Sequence, residues 1–306
     1  MPYDAHNDIG EKEETHVARR PQPFTARQHM LECPFEVFRY CDSYLSAVAL
    51  HHHDFYELYL FLSGDVSYIV ESRNYRLQPG DLLLISPSEL HQPLIRPDHA
   101  PYERIVLWMS RAFMKSLSTE RTNLQACFDA QDPARTNLLR PDAASRPLIT
   151  GLMERLQEES AHDAYGSDIA AHCCLLELLV LVNRLFADKR RAPAPTPCDP
   201  TIAPVLEYIS VHYGEPLSLG DLSARFYVGK YHLCHAFKAA VGTSVYRYIT
   251  QKRLLIARQM LFDGTPPSGV YRSCGFADYS SFFRSFKAQY GLSPSAFYAK
   301  RVPGIE

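Results

Sequence analysis

The chain has 306 residues, of which 46% are hydrophobic and 22% charged, with a formal net charge of −2. That length allows two domains with a core each, and the ordinary composition excludes collagen-like, low-complexity and disulfide-scaffold classes. From Thr201 onward there are 12 Lys/Arg against 6 Asp/Glu, a net of +6 that leaves −8 for the rest, so a basic segment suited to nucleic acid follows an acidic one.

In chain order, Met1 to Arg20 is polar and carries Glu11, Glu13 and Glu14 without an apolar h-region. It reads as a disordered tail (1–20) and not as a signal peptide. No apolar run approaches the roughly 20 residues of a membrane span. The longest, Cys173 to Val182, is interrupted by Glu177. The eight Cys form no CxxC pair, and they read as reduced thiols in a cytoplasmic protein.

From about Phe24 to Ser110 the pattern is β. Phe55–Leu62, Val66–Glu71, Leu82–Ile85 and Ile105–Met109 are short, aromatic and β-branched. Ser63-Gly64-Asp65, Pro79-Gly80-Asp81 and Ser86-Pro87-Ser88 supply turns between them. Strands of this kind predict a small barrel or jelly roll. Arg111 to Phe186 turns helical, with Ser167 and Asp168 as caps for a long helix through Phe186. Leu175, Leu178, Leu179 and Val182 form one apolar stripe, which either packs on the barrel or meets a second copy in a dimer. Four prolines and Lys189-Arg190-Arg191 then mark a stiff linker. The expected organisation is an α+β chain of two domains: a sensing and dimerisation domain at 21–187, a linker at 188–200, and an all-α domain at 201–306.

The all-α segment contains a repeat. Phe237-Lys238, followed by Gly242, recurs 49 residues on as Phe286-Lys287, followed by Gly291. Each copy reads as a helix-turn-helix, and two copies on one chain suggest a reader of two neighbouring major-groove segments of double-stranded DNA. In the first recognition helix Leu233, Phe237 and Val241 form the buried stripe, while Tyr231, His235 and Lys238 face outward. In the second, Phe282, Phe286 and Tyr290 are buried, while Ser280, Arg284 and Lys287 repeat the outward spacing. A core helix alone has no need of matching polar triplets. Tyr231, His235, Tyr279, Ser280 and Arg284 are the expected base contacts, Arg284 by a bidentate bond to guanine. Lys230, Lys238 and Lys287 are the expected phosphate contacts. A connecting helix from Ser244 to Phe262 would span roughly 27 Å, near the ~34 Å between successive major grooves on one face.

These residues resemble the AraC/XylS family of transcription regulators over roughly Leu206 to Arg301. The resemblance rests on Leu219-x-Asp221-Leu222, on Tyr248, Arg253, Leu254, Ala257 and Leu261, on Gly275-Phe276-x-Asp278, on Phe282-x-Arg284-x-Phe286-Lys287 and on Gly291-x-Ser293-Pro294. It implies a cupin-like sensor barrel ahead of the double helix-turn-helix, and activation or repression of nearby genes through contact with RNA polymerase. Two positions depart from the family pattern. Gly229 stands where a capping Ser is favoured, and Tyr271 stands where Ala is favoured, so its bulk must fit between helices.

In the barrel, His51-x-His53-x3-Glu57-x6-Gly64 resembles the first metal motif of cupins, and Pro79-Gly80-Asp81 with Pro87-x3-His91 resembles the second. The favoured reading is a metal-free pocket of His53, Tyr56, Glu57, Tyr59, His91 and Trp108 for a small polar effector such as a carbohydrate. The alternative is a divalent metal on His51, His53, Glu57 and His91, in a metal sensor or in a metal enzyme with an appended helical domain. No G-x-S-x-G or Walker A pattern occurs, and the expectation is a regulator and not an enzyme.

Overall fold

In this computed structural model the described residues run from 30 to 300, apart from 32, 46, 88, 97–100, 131, 133–134, 189–195 and 198. The expected tail at 1–20 and the basic run at 189–191 therefore lie outside the described residues.

The first half is a two-sheet barrel. One sheet orders β1 (Phe35–Asp42), β7 (Tyr102–Met109), β2 (Tyr56–Ser63), β5 (Leu82–Ile85) and β8 (Leu138–Leu139) side by side. The other orders β6 (His91–Arg96), β3 (Asp65–Val70), β4 (Arg73–Arg76) and β9 (Thr196–Pro197). The strand pairs within both sheets are antiparallel. All four named strand expectations are found. β1, β4, β6 and the two-residue strands were not named individually. β6 contains Pro93, which argues against a strand from sequence but is tolerated here because β6 lies at a sheet edge. β9 falls inside the expected linker, and its backbone pairs with Arg73 and Asn74 of β4. That stretch of the Pro-rich segment is therefore part of the barrel.

The first sheet is buried on both faces, which is why Leu82-Leu83-Leu84-Ile85 is apolar without alternation. Its outer face, through Leu58, Leu60, Leu82, Leu84, Ile105 and Leu107, packs on a helical layer. That layer is α1 (Arg111–Leu117), α2 (Ser145–Glu159) and α3 (Ser167–Ala187). The stripe Leu175, Leu178, Leu179 and Val182 of α3 is fully buried in this contact, so it packs on the barrel. Leu176 on the other side of α3 is exposed. Gly166 in the left-handed region precedes the helix and no side chain caps it, so Ser167 and Asp168 lie inside its first turn and not at its cap. α3 is 21 residues long and meets the length and hydropathy of a membrane span, contrary to the sequence expectation, because Glu177 is its one acid across that apolar stretch.

The second half is helical: α4 (Ala203–His212), α5 (Leu219–Arg225), α6 (Lys230–Val241), α7 (Val245–Phe262), α8 (Pro267–Ser273), α9 (Tyr279–Tyr290) and α10 (Pro294–Lys300). Ser218 and Asp221 close a capping box on α5, and Ser244 caps α7. α6 begins at Gly229 with no side-chain cap bond, whereas Asp278 caps α9 by accepting from Ser281 N at 2.7 Å. Both α6 and α9 end at a left-handed glycine, Gly242 and Gly291. Leu222, Leu233, Phe237 and Val241 build the first unit's core. Val270, Cys274, Phe282 and Phe286 build the second. The first core also takes in Leu50 and Leu90 of the barrel, so one apolar cluster crosses from the barrel to the helical half.

Candidate DNA interface and effector site

The two recognition helices bury the expected faces. Leu233, Phe237 and Val241 are fully buried on α6, as are Phe282 and Phe286 on α9. Tyr290 is half-buried and does a second job described below. The opposite faces are open. Lys230, Tyr231, His235 and Lys238 on α6 are exposed, and so are Tyr279, Ser280, Arg284 and Lys287 on α9. The two triplets separated by 49 residues thus stand on equivalent open faces of two equivalent helices. The rings of Tyr231 and His235 lie 4.2 Å apart, tilted by 42°, so the two form one surface. Tyr271 is accommodated at the edge of its unit. Its ring lies 5.7 Å from that of Tyr279, edge to face, and its hydroxyl accepts from Arg272 Nε. The unfamiliar tyrosine therefore buttresses a predicted base contact. Gly275, with φ of 75°, sits where a Cβ would lie 2.7 Å from Tyr213 O and 2.9 Å from the Arg253 guanidinium. Only glycine fits that close approach between α4 and α7.

Inside the barrel, alternation sorts the side chains. On β2, Glu57, Tyr59 and Phe61 turn inward while Leu58 and Leu60 turn to the helical layer. Tyr56 points away from the interior: its hydroxyl donates to Gln125 and its ring packs on Phe128. It is therefore not a neighbour of the other proposed pocket residues, since one residue along a strand reverses the side chain. Trp108 faces inward and its Nε1 donates to Glu57 Oε2 at 2.8 Å. His53, Glu57 and His91 are brought together, with one ligand atom of each within 4.8 Å of the others. His51 stands beside them, its ring 4.2 Å from His91 and 6.5 Å from His53.

Sequence reasoning missed Arg104, Tyr102, Tyr68 and Tyr40, which complete this interior. Arg104 is buried, pairs with Asp42, and lies 4.1 Å from the ring centre of Tyr102 and 4.8 Å from that of Tyr40. The Tyr59 hydroxyl donates to that of Tyr102 at 2.7 Å. Counting back by twos from Trp108 along β7 reaches Arg104 and Tyr102, so their shared face was legible. Tyr68, on the other sheet, required the fold.

Burial dominates the electrostatics. It pushes Tyr59 and Tyr68 well above the ordinary tyrosine value, and Tyr102 up to about 12, so these hydroxyls stay protonated donors. It pushes His91 well below the ordinary histidine value, with His51 and His53 adding to the effect. For Glu57 burial acts upward, but the hydrogen bond and charge of His53, with His51 and the Trp108 indole, hold the carboxyl below its ordinary value.

The barrel touches both recognition helices at their C-terminal ends. Gln92, next to His91, donates to Val241 O at the end of α6 at 2.7 Å. A Cβ on Gly242, already at a left-handed φ of 70°, would lie 2.7 Å from the same Gln92 amide nitrogen and push it from its bond to Val241 O. His52, between His51 and His53, is hydrogen-bonded through Nε2 to the Tyr290 hydroxyl at the end of α9 at 2.9 Å. Burial first, and then the positive charge of Arg258, pushes His52 down to about 3, so it is neutral near neutral pH. Lys252 pairs with Glu71 at 2.8 Å, Gln251 donates to Leu50 O at 3.1 Å, and Arg258 pairs with Asp54. These contacts leave the N-terminal ends of α6 and α9, where base-reading residues sit in such motifs, facing outward.

Residues 33–179 match the family described as an AraC-like ligand binding domain, and residues 222–300 match a helix-turn-helix domain family. The arabinose operon regulatory protein of Salmonella typhimurium is 27% identical over 247 residues, covering 80% of this chain and 83% of that protein. Its counterpart in Escherichia coli strain K12 is 28% identical over 247 residues, covering 80% of each. The transcriptional activator RhaS of Escherichia fergusonii is 22% identical over 248 residues, covering 80% of this chain and 85% of that protein.

Proposed function

The chain belongs to the AraC family, as a DNA-binding transcription regulator with a ligand-binding domain, and from that premise we propose that it is effector-responsive and reads an operator with both helix-turn-helix units. The observation that carries this reading is the pair of matched open faces on α6 and α9. Arg284 reads a guanine, with Tyr279 and Ser280 beside it. Tyr231 and His235 read the other segment. Lys230, Lys238 and Lys287 contact phosphates and supply salt-dependent affinity. α7, 18 residues long, sets the spacing between the two reading heads.

The effector we infer is a small polar metabolite such as a sugar, held in the barrel by His53, Glu57, Tyr59, His91 and Trp108 with Arg104. Aromatic faces beside buried hydrogen-bonding groups suit a polyhydroxylated ring. Two relatives are named for the arabinose operon, which agrees with that chemistry. Residues 21–187, together with the β9 stretch Thr196–Pro197, would form the sensing and dimerisation domain, the rest of 188–200 the linker and 201–306 the reader. The exposed Leu148, Ile169 and Leu176 on α2 and α3 offer an apolar surface for a homodimer. Regulation of nearby genes would run through RNA polymerase in the cytoplasm, without catalysis by this chain.

Selection from random DNA duplexes with the full chain tests the reading. The expected product is a motif with two elements about one helical turn apart. Enrichment of a single element, or of none, overturns the two-headed reader.

A further inference from the structure

An open cleft of about 550 Å³ lies beside the start of the second recognition helix. It is lined by Pro267, Ser268, Tyr271 and Arg272 of α8, Tyr279 of α9 and Ser295 of α10. That lining supplies four hydroxyls and one guanidinium, and no carboxylate. Asp278, next to Tyr279 in the chain, turns both carboxylate oxygens to Ser281, which donates from N at 2.7 Å and from Oγ at 2.9 Å. Arg272 is exposed and has no acidic partner among the described residues. Tyr271 orders this lining. It is half-buried against the core that Val270, Phe282 and Phe286 build. Its hydroxyl accepts from Arg272 Nε at 2.8 Å, and the guanidinium carbon lies 5.5 Å from its ring centre. The edge-to-face contact of the same ring with Tyr279 has centroids 5.7 Å apart. A guanidinium has five N–H donors, so a bond at Nε fixes its plane and leaves the two terminal nitrogens for another acceptor. The Ala favoured by the family at this position would supply neither contact.

We propose that this cleft seats the DNA backbone flanking the element that α9 reads, with Arg272 on a phosphate and Tyr271 as the positioning residue for both Arg272 and Tyr279. The inference rests on the reading of α9 as a DNA-reading helix. Hydroxyls and arginine are the side chains that hold phosphate oxygens, and a lining without carboxylates matches a polyanion in sign. Arg272 held through Nε has less freedom to lose on meeting a phosphate than an exposed arginine without a partner. Phosphate contacts fix register and carry no sequence, so Arg272 sets where α9 lies along the groove. The Tyr271 ring sets where Tyr279 stands at the start of that helix. One side chain thereby couples a sequence-blind contact to a sequence-reading one.

The test uses the full chain, the duplex it selects, and duplexes altered one base pair at a time in the second element, each over a range of salt. Arg272→Gln should weaken every duplex by a common factor of about 10, the worth of one charge-assisted bond, and lower the salt slope by about one. Tyr271→Phe keeps the ring and should show a smaller common loss with base choice intact. Tyr271→Ala should add a loss of discrimination of about 5-fold or more at one base pair, the same pair that Tyr279→Ala relaxes. The double variant Tyr271→Ala with Tyr279→Ala should discriminate no worse there than Tyr279→Ala alone, because the two act as a unit. Unchanged affinity and salt slope in Arg272→Gln overturn the backbone seat. Tyr271→Phe that matches the wild type on every duplex overturns the positioning of Arg272. Tyr271→Ala that melts like the wild type and keeps full base choice overturns the positioning of Tyr279. Arg284→Ala that relaxes base choice, while all Tyr271 and Arg272 variants behave as the wild type, overturns this inference and leaves the reading of α9 standing. Wild-type protein without base preference at the second element overturns that reading and this inference with it.

Discussion

The two helix-turn-helix units share a plan but are held differently. α6 starts at an uncapped Gly229, presents an aromatic and histidine face, and is held by the barrel through its own backbone, at Val241 O. α9 starts at a capping Asp278, presents Ser280, Arg284 and Lys287, and is held through a side chain, the Tyr290 hydroxyl. The first unit shares its core with Leu50 and Leu90 of the barrel, while the second has a core of its own. The same fold thus differs at its two ends: in the side chains on its open face, and in what grips it. A backbone grip tolerates any side chain at its acceptor but is disturbed by a Cβ next door at Gly242. A side-chain grip depends on one hydroxyl.

The largest effect separates the two cores. Phe286→Ala should cost about 3–5 kcal/mol, confined to the second unit, whereas Phe237→Ala should cost a similar amount and also loosen the barrel contact. Hydrogen exchange resolved by segment checks this, and equal loss of protection at Leu50 and Leu90 in both variants would erase the distinction. Next, Arg284→Ala should lose about 1–3 kcal/mol against one guanine and relax choice at that base pair alone. Lys287→Ala should instead weaken all duplexes alike and lower the salt slope by about one. Identical behaviour of the two variants in binding at several salt concentrations would undo the sorting of base from phosphate contacts.

A third prediction concerns acid. His52 has its folded pKa depressed to about 3, so the unfolded chain takes up a proton near the ordinary histidine value and the folded chain does not. The stability from the neutral ring is fully present above about pH 6.5 and falls on the way down, by roughly 1.4 kcal/mol per pH unit until the folded pKa is reached. Thermal unfolding at pH 7 and pH 5.5 in the presence of chelator measures this, and a His52→Gln variant should show a shallower slope. The smallest effect tests the caps. Asp278→Ala should cost about 1 kcal/mol, while Gly229→Ser should gain a few tenths. A gain at Gly229 as large as the loss at Asp278 would mean that the first helix is strained at its start.

By itself the sequence determined the local and periodic features. Phe282 and Phe286 share a helical face because 3.6 residues make a turn, and the 49-residue repeat marks two equivalent helices. β2, β3, β5 and β7 were legible for the same kind of reason, as short apolar runs between turn residues. β4 and β6 were not, being brief and polar or broken by Pro93, and their pairing partners in β3 hold them in the sheet. The odd–even rule placed Glu57 and Tyr59 on one face but could not say which face was inside, and so Tyr56 was grouped with them. Only the tertiary structure decided that His91, 38 residues after His53, lies beside it, that Arg104 and Tyr68 share that interior, and that His52 and Gln92 reach Tyr290 and Val241. Those contacts join residues far apart in the chain. Their free energy comes from burial and hydrogen bonding that exist only once two sheets and two domains have closed on each other, and no local pattern encodes them.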